Sequence, residues 1–189
     1  MARIYGKRIV LREYQDEDFR YIRKWVNDPE ITDYLSDIFL YPHSMNTSEN
    51  FLTYMMEGKN EKTKGFVIGD VQSGKYLGQI DLFNIDWKNR SAEIGIVIGN
   101  RENLNKGYGR EAIALLLNFA FNRMNLHRIE LEVHDYNQRG YRCYRSCGFK
   151  EEGRQREGLF HKGKYHDKVQ MGILKEEFNG LNEKREEKQ

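Results

Sequence analysis

The sequence predicts a single α+β domain with a short polar tail. The chain has 189 residues, 39% hydrophobic and 13% aromatic, enough apolar material to bury a core and too much for a disordered chain. Strand-like and helix-like apolar periods alternate along it. No internal repeat or flexible linker divides it, and only from Glu176 onward do Glu, Lys, Arg, Asn and Gln dominate. The domain is therefore placed at residues 1–175 and a polar tail, a frayed helix or disordered, at 176–189.

Residues 8–12 alternate weakly and read as a first strand. Asp16 suits the N-cap of a helix that carries Phe19, Ile22, Trp25 and Val26 on one face. Pro29 restarts the chain at a helical first turn, where Ile31, Tyr34 and Leu35 fit a short helix. A loop through Pro42 leads to another helix bearing Phe51, Leu52 and Met55. Residues 66–70, 76–85 and 92–98 are strand-like runs, joined by Gln72-Ser73-Gly74 and by Trp87-Lys88-Asn89-Arg90.

The character then changes. The segment from Asn105 to Ala112 opens a long helix reaching about Met124, with Ala112, Leu115, Leu116, Phe119 and Ala120 as the stripe that lies on a sheet. Residues 128–134 form a strand, and 138–147 a helix stopped by Gly148. Residues 149–152 and 168–174 complete a set of about seven strands.

Composition narrows the function classes. The net charge is +2, from 31 basic and 29 acidic residues, so no nucleic-acid footprint covers the surface. No apolar run approaches the roughly 18 residues of a membrane span. The N-terminal segment carries charges throughout and lacks an apolar signal core, which predicts a cytoplasmic protein. Cys143 and Cys147 lie four apart in a helix without further ligands converging on them, so they read as small residues of a reduced helix and no metal is expected.

Chemistry enters at the glycine-rich turn. Gly107 and Gly109, between a strand and a helix, let backbone N–H groups turn toward an anion, and the helix N-terminus adds partial positive charge. Lys106 and Arg110 add full charges. A tight strand-to-helix connection would need the same glycines, so the turn alone leaves both readings open. It has no Gly-Lys-Ser/Thr and lacks the third glycine of a dinucleotide fingerprint.

A second motif follows the next strand: Asn137-Gln138-Arg139-Gly140-Tyr141-Arg142-Cys143-Tyr144, then Cys147-Gly148-Phe149. Strand, basic glycine loop, helix, strand, then Asn-x-Arg, Tyr and Gly-Phe in this order resembles the GNAT superfamily of N-acetyltransferases. The likeness spans residues 9–174 and is greatest to the branch of Rim-type ribosomal-protein and spermidine N-acetyltransferases.

That resemblance implies a mixed, mostly antiparallel central sheet flanked by helices and splayed between the fourth and fifth strands, with a bulge near Gly95. It implies acetyl-CoA as co-substrate, with Lys106, Gly107, Tyr108, Gly109 and Arg110 at the pyrophosphate; the usual leading Gln or Arg of that loop is Leu104 here. Ile96, Val97 and Ile98 would pair with the pantetheine arm and polarise the thioester carbonyl. Asn137 would contact the coenzyme arm, while Arg139 and Arg142 reach the adenosine end or form a solvated face. Tyr144 takes the position of the general acid. Glu93 takes that of a base, acting directly or through water, or is an ordinary cross-strand charge. Attack is direct, without a covalent acyl-enzyme, and the family's habit of pairing through its last strands makes a homo-oligomer possible.

The acceptor is less determined. Between Lys24 and Lys59 there is no lysine or arginine, whereas Asp28, Glu30, Asp33, Asp37, Glu49 and Glu57 all fall there. In the GNAT fold the first helices line the acceptor side, so Glu30, Asp33, Tyr34 and Asp37 become the residues expected at a cationic amine. Tyr34, Phe39, Tyr41 and Tyr54 would bracket its alkyl or ammonium groups. The alternative is a solvated acidic surface. A protein N-terminal amine is the first expectation, a polyamine such as spermidine or spermine the second, and a catalytically silent acyl-CoA-binding regulatory module the third.

Overall fold

The computed structural model describes residues 3–186, with side chains through Leu181. Its strands are β1 (Ile4–Tyr5), β2 (Ile9–Arg12), β3 (Lys64–Asp70), β4 (Tyr76–Asp86), β5 (Ser91–Ile98), β6 (Arg128–His134), β7 (Lys150–His161) and β8 (Lys164–Leu174). The helices are α1 (Phe19–Trp25), α2 (Pro29–Thr32), α3 (Met45–Glu57), α4 (Tyr108–Asn122), α5 (Gln138–Cys147) and α6 (Lys175–Glu186). The strands run in the order β1-β2-β3-β4-β5-β6-β8-β7, and the pair β5–β6 is parallel in a mostly antiparallel sheet.

Two compact units divide the chain. The first takes the residues through Phe83 and Gly95–Leu115; the second takes Asn84–Ile94 and everything from Leu116.

In the first unit, β2 pairs β3 with Leu11 opposite Ile68, and β3 pairs β4 with Phe66 opposite Ile80. One apolar cluster gathers Tyr14, Ile22, Trp25, Val26, Ile31, Leu52, Val67, Tyr76 and Val97, so α1, α2 and α3 cover the same sheet face as Val67 and Val97. Asp16 is not the N-cap expected of it. A 3-10 turn begins there, and Asp18 folds back to accept the Gln15 N–H at 2.9 Å. The reason is Arg12, whose Nη1 and Nη2 donate to Asp18 Oδ2 and Oδ1 at 2.8 and 2.7 Å in a buried bidentate pair. Asp28 caps α2 through the Glu30 N–H, with Pro29 in the first turn. Ser44 caps α3, and left-handed Gly58 ends it.

In the second unit, β5 pairs β6 over Ser91↔Arg128 to Glu93↔Glu130. The segment 95–98 of β5 lies outside that parallel register. The strand pair β6–β8 is regular from Arg128↔Leu174 to His134↔Lys168. The expected strands 149–152 and 168–174 are both longer: they form a hairpin from Lys150 to Leu174, closed at Lys162 and Gly163 with φ of 48° and 80°. Two register shifts interrupt it, and Leu159 is its one buried residue in β7, so no alternation marks β7 in the sequence. Helix α6 occupies the start of the expected tail, and Phe178 packs on Phe121 with ring centroids 5.5 Å apart.

Candidate active site

The coenzyme-side residues begin where β5 ends. Asn100 caps a short 3-10 turn through the Glu102 N–H, and the chain reaches α4 through Asn105 and Gly107, with φ of +58° and +82°. Left-handed residues on both sides of Lys106 turn successive N–H groups outward, the arrangement that makes a backbone anion cradle. The first turn of α4, Tyr108, Gly109 and Arg110, adds N–H groups that no helix satisfies internally. Lys106, Gly107 and Arg110 are exposed.

Arg8 holds this loop. Its Nη1 donates to the Lys106 carbonyl at 2.7 Å and its Nε to Glu111 Oε2 at 2.9 Å, while its guanidinium stacks over Tyr108. The Arg8 N–H donates to Glu111 Oε1 at 2.9 Å. Desolvation of Glu111 is outweighed by these bonds and by the Arg8 charge, so its carboxyl lies below its ordinary value. Sequence reading missed Arg8, because nothing near it in the chain announces a partner about a hundred residues on.

Of the β5 segment, Val97 belongs to the apolar cluster, and Ile96 and Ile98 are half-buried. Gly95 has a packing role: a Cβ there would stand 3.1 Å from Phe83 Cε1. Within the second unit, Glu93 accepts a hydrogen bond from Asn84 Nδ2 at 2.7 Å, so one carboxylate oxygen is already engaged. Asn137 caps α5, its Oδ1 accepting the Gly140 N–H at 2.9 Å. Arg139 and Arg142 are exposed on that helix, Arg142 Nε donating to the Gln138 carbonyl. Tyr144 is half-buried with Phe149 against its ring edge at 5.8 Å. Desolvation raises its phenol above the ordinary value, so it keeps its proton at neutral pH.

The acidic stretch is not uniformly free. Arg101, from the loop after β5, bonds Asp28 at 3.0 Å and also Glu30, so Glu30 is neutralised where a substrate contact was expected. Asp33 is half-buried, while Asp37 and Glu49 are exposed, as are Tyr34, Tyr41 and Tyr54.

The sequence reading also missed a buried polar chain in the first unit. Trp25 Nε1 donates to Tyr76 Oη at 3.0 Å, Tyr76 to Gln79 Oε1 at 3.0 Å, and Tyr14 to Asp81 Oδ1 at 3.0 Å. The Asp81 carboxyl is pushed up to about 7 by desolvation, partly offset by bonds from Tyr14, Gln79 and the Phe66 N–H. It stands over Gly65: a Cβ there would meet Asp81 Oδ1 at 2.5 Å and Met55 Cε at 1.8 Å. Tyr14, Met55 and Gly65 border an open cavity of about 170 Å³ between α3 and β2–β3.

The mixed, mostly antiparallel sheet flanked by helices, with a glycine turn opening a long helix, is the fold of an acyltransferase class. Residues 8–150 match the family described as acetyltransferase (GNAT) domain, and the chain belongs to that family. It is an acetyl-CoA-dependent N-acetyltransferase.

The chain is 32% identical over 152 residues to a spermidine N(1)-acetyltransferase of Vibrio cholerae, covering 72% of this chain and 87% of the relative. It is 35% identical over 116 residues to YdaF of Bacillus subtilis, whose name proposes a ribosomal N-acetyltransferase, covering 61% and 63%. The crystal structure of the Vibrio cholerae spermidine N-acetyltransferase with CoA and spermine superposes with a TM-score of 0.79 at 30% identity, covering 92% of this chain and 99% of that one. Among the described residues no helix is long and apolar enough to cross a membrane.

Proposed function

We propose that the chain acetylates a primary amine of a polyamine of the spermidine class. The observation that carries this reading is the stretch between Lys24 and Lys59, which has no lysine or arginine of its own and keeps Asp37 and Glu49 exposed, while Arg101 pairs with Asp28 and Glu30. A polyamine presents several ammonium groups, so separate carboxylates can hold the remote ones while one nitrogen reacts. Kinship with spermidine N-acetyltransferases supports the same acceptor in place of the protein N-terminus expected first.

The reaction is a direct transfer. Backbone N–H groups of Lys106, Gly107, Tyr108, Gly109 and Arg110, with the two side-chain charges, hold the pyrophosphate. The backbone of Ile96, Val97 and Ile98 pairs with the pantetheine arm, and Asn137 and Arg139 serve the coenzyme further along. The ammonium first loses a proton to a carboxylate, directly or through water. The neutral nitrogen then attacks the thioester carbonyl, the C–S bond breaks, and the thiolate takes the Tyr144 proton. The second proton, shed by the nitrogen as the amide forms, restores the phenol.

Release of free thiol from acetyl-CoA, measured with spermidine and with a peptide bearing a free N-terminus, tests the acceptor. Spermidine should give the higher kcat/KM. Turnover of the peptide alone would overturn the reading in favour of a YdaF-like acceptor.

A further inference from the structure

Glu93 and Asp81 are both carboxylates of the β4–β5 strand pair, and their surroundings differ. Glu93 is tied to Asn84 at the β4–β5 turn end. Asp81 lies in the middle of β4, on the sheet face covered by α1 and α3, where Tyr14 donates to it and Met55 packs over Gly65 of the facing strand. The Gly99 N–H donates to the Leu77 carbonyl, and counting back along the antiparallel strands brings Asp81 level with Gly95, at the start of the β5 segment 95–98.

We propose that Asp81, held by the Tyr14 hydroxyl over Gly65, is a catalytic residue that accepts the ammonium proton of the acceptor amine. This rests on the acetyl-transfer reading above and replaces Glu93 as the base. The open cavity is bordered by Tyr14, which donates to Asp81, and by Gly65, which faces it across the strand pair. A carboxyl that titrates near neutrality is matched to this task, since it is ionised at working pH and still basic enough to draw a proton. An ordinary exposed carboxylate is a far weaker base.

The groups facing Asp81 are few. From β4 come Gln79 and the protonated Tyr76, from β3 the Phe66 N–H, from the β2–α1 connection Tyr14, and from α3 the uncharged Met55. Lys64 of β3 directs its ammonium to the Gly58 and Asn60 carbonyls, and the charges of Arg12 and Asp18 are closed on each other. The atoms balance: one proton passes from nitrogen to the Asp81 carboxylate and leaves to water once the amide has formed.

The test is the pH profile of kcat/KM between pH 6 and 9, with spermidine and with a peptide N-terminus as acceptors, for the wild type and for Asp81→Asn, Asp81→Glu, Tyr14→Phe and Glu93→Gln. Melting curves accompany each variant to separate misfolding from lost chemistry. The wild type should lose activity below an acidic limb near pH 7. Asp81→Asn should fall by about 100-fold and lose the limb, and Asp81→Glu should restore part of it. Tyr14→Phe should move the limb to higher pH, because the Tyr14 bond lowers the Asp81 value. An Asp81→Asn variant that keeps the wild-type limb, or a Glu93→Gln variant that alone abolishes it, overturns the proposal. A peptide-specific enzyme with the Asp81-dependent limb would reject the polyamine acceptor and support the base. No turnover of either amine by the wild type overturns both.

Discussion

The first unit holds two regions that work in opposite ways. The loop from residue 100 to the start of α4 acts through its backbone: positive-φ residues at Asn105 and Gly107, first-turn N–H groups, and one arginine strut from Arg8. The network around Asp81 acts through side chains drawn from the β2–α1 connection, α1 and β4, all withdrawn from water. A backbone site tolerates changes of side chain and fails when φ is disturbed. A side-chain site behaves the other way round, and its cost is stored as a carboxyl that the fold makes harder to ionise.

The largest effect separates side-chain chemistry from coenzyme binding outright. Tyr144→Phe should lower kcat by about 100-fold, because only a proton donor is removed, with acetyl-CoA affinity by calorimetry unchanged. An unaltered kcat would end its assignment as the acid. Gly107→Val should do the reverse. Its φ of +82° is closed to a β-branched residue, and the new Cβ would stand 3.1 Å from Arg8 Nη2. Acetyl-CoA binding should weaken about tenfold, since the strain amounts to about 1–2 kcal/mol. Wild-type affinity there would break the backbone account of the loop.

Arg8→Ala leaves every loop residue in place and removes the strut. The coenzyme KM should rise about threefold with kcat nearly intact, as expected for one partly exposed hydrogen-bonded contact. The smallest effect is on stability. The Asp81 carboxyl has a raised folded value, so its contribution to stability is full at low pH and is lost as pH rises from about 4 through about 7. Asp81→Asn lacks that loss, and its melting temperature relative to wild type should climb across the same interval, by a few degrees in scanning calorimetry. A constant difference would mean that Asp81 is not desolvated.

What could be read from the sequence divides along the same line. The 128–134 strand and 138–147 helix were legible at their observed bounds, because apolar alternation and a C-terminal glycine are local signals, whereas Asn137 as the N-cap was not read. The glycine loop was legible for the same reason. Asp81 was not, since Tyr14, Met55, Gly65 and Gln79 meet it only after three strands have paired. The acidic stretch was legible as composition, whereas its partial neutralisation by Arg101 lies more than seventy residues away along the chain. The β7–β8 hairpin escaped because its bulges and solvent-facing residues erase the period of two.

The strand order of the second unit has a consequence for how the chain is made. β8 is hydrogen-bonded between β6 and β7, so of the hairpin's two strands the one synthesised later is the inner one. β7 gains its partner only as β8 is made, and until then β6 keeps one row of amides open to water. The family match ends at residue 150, before either strand of this hairpin is complete. A nascent chain paused there would carry both sequence motifs of the enzyme and still lack the strand that joins β6 to β7.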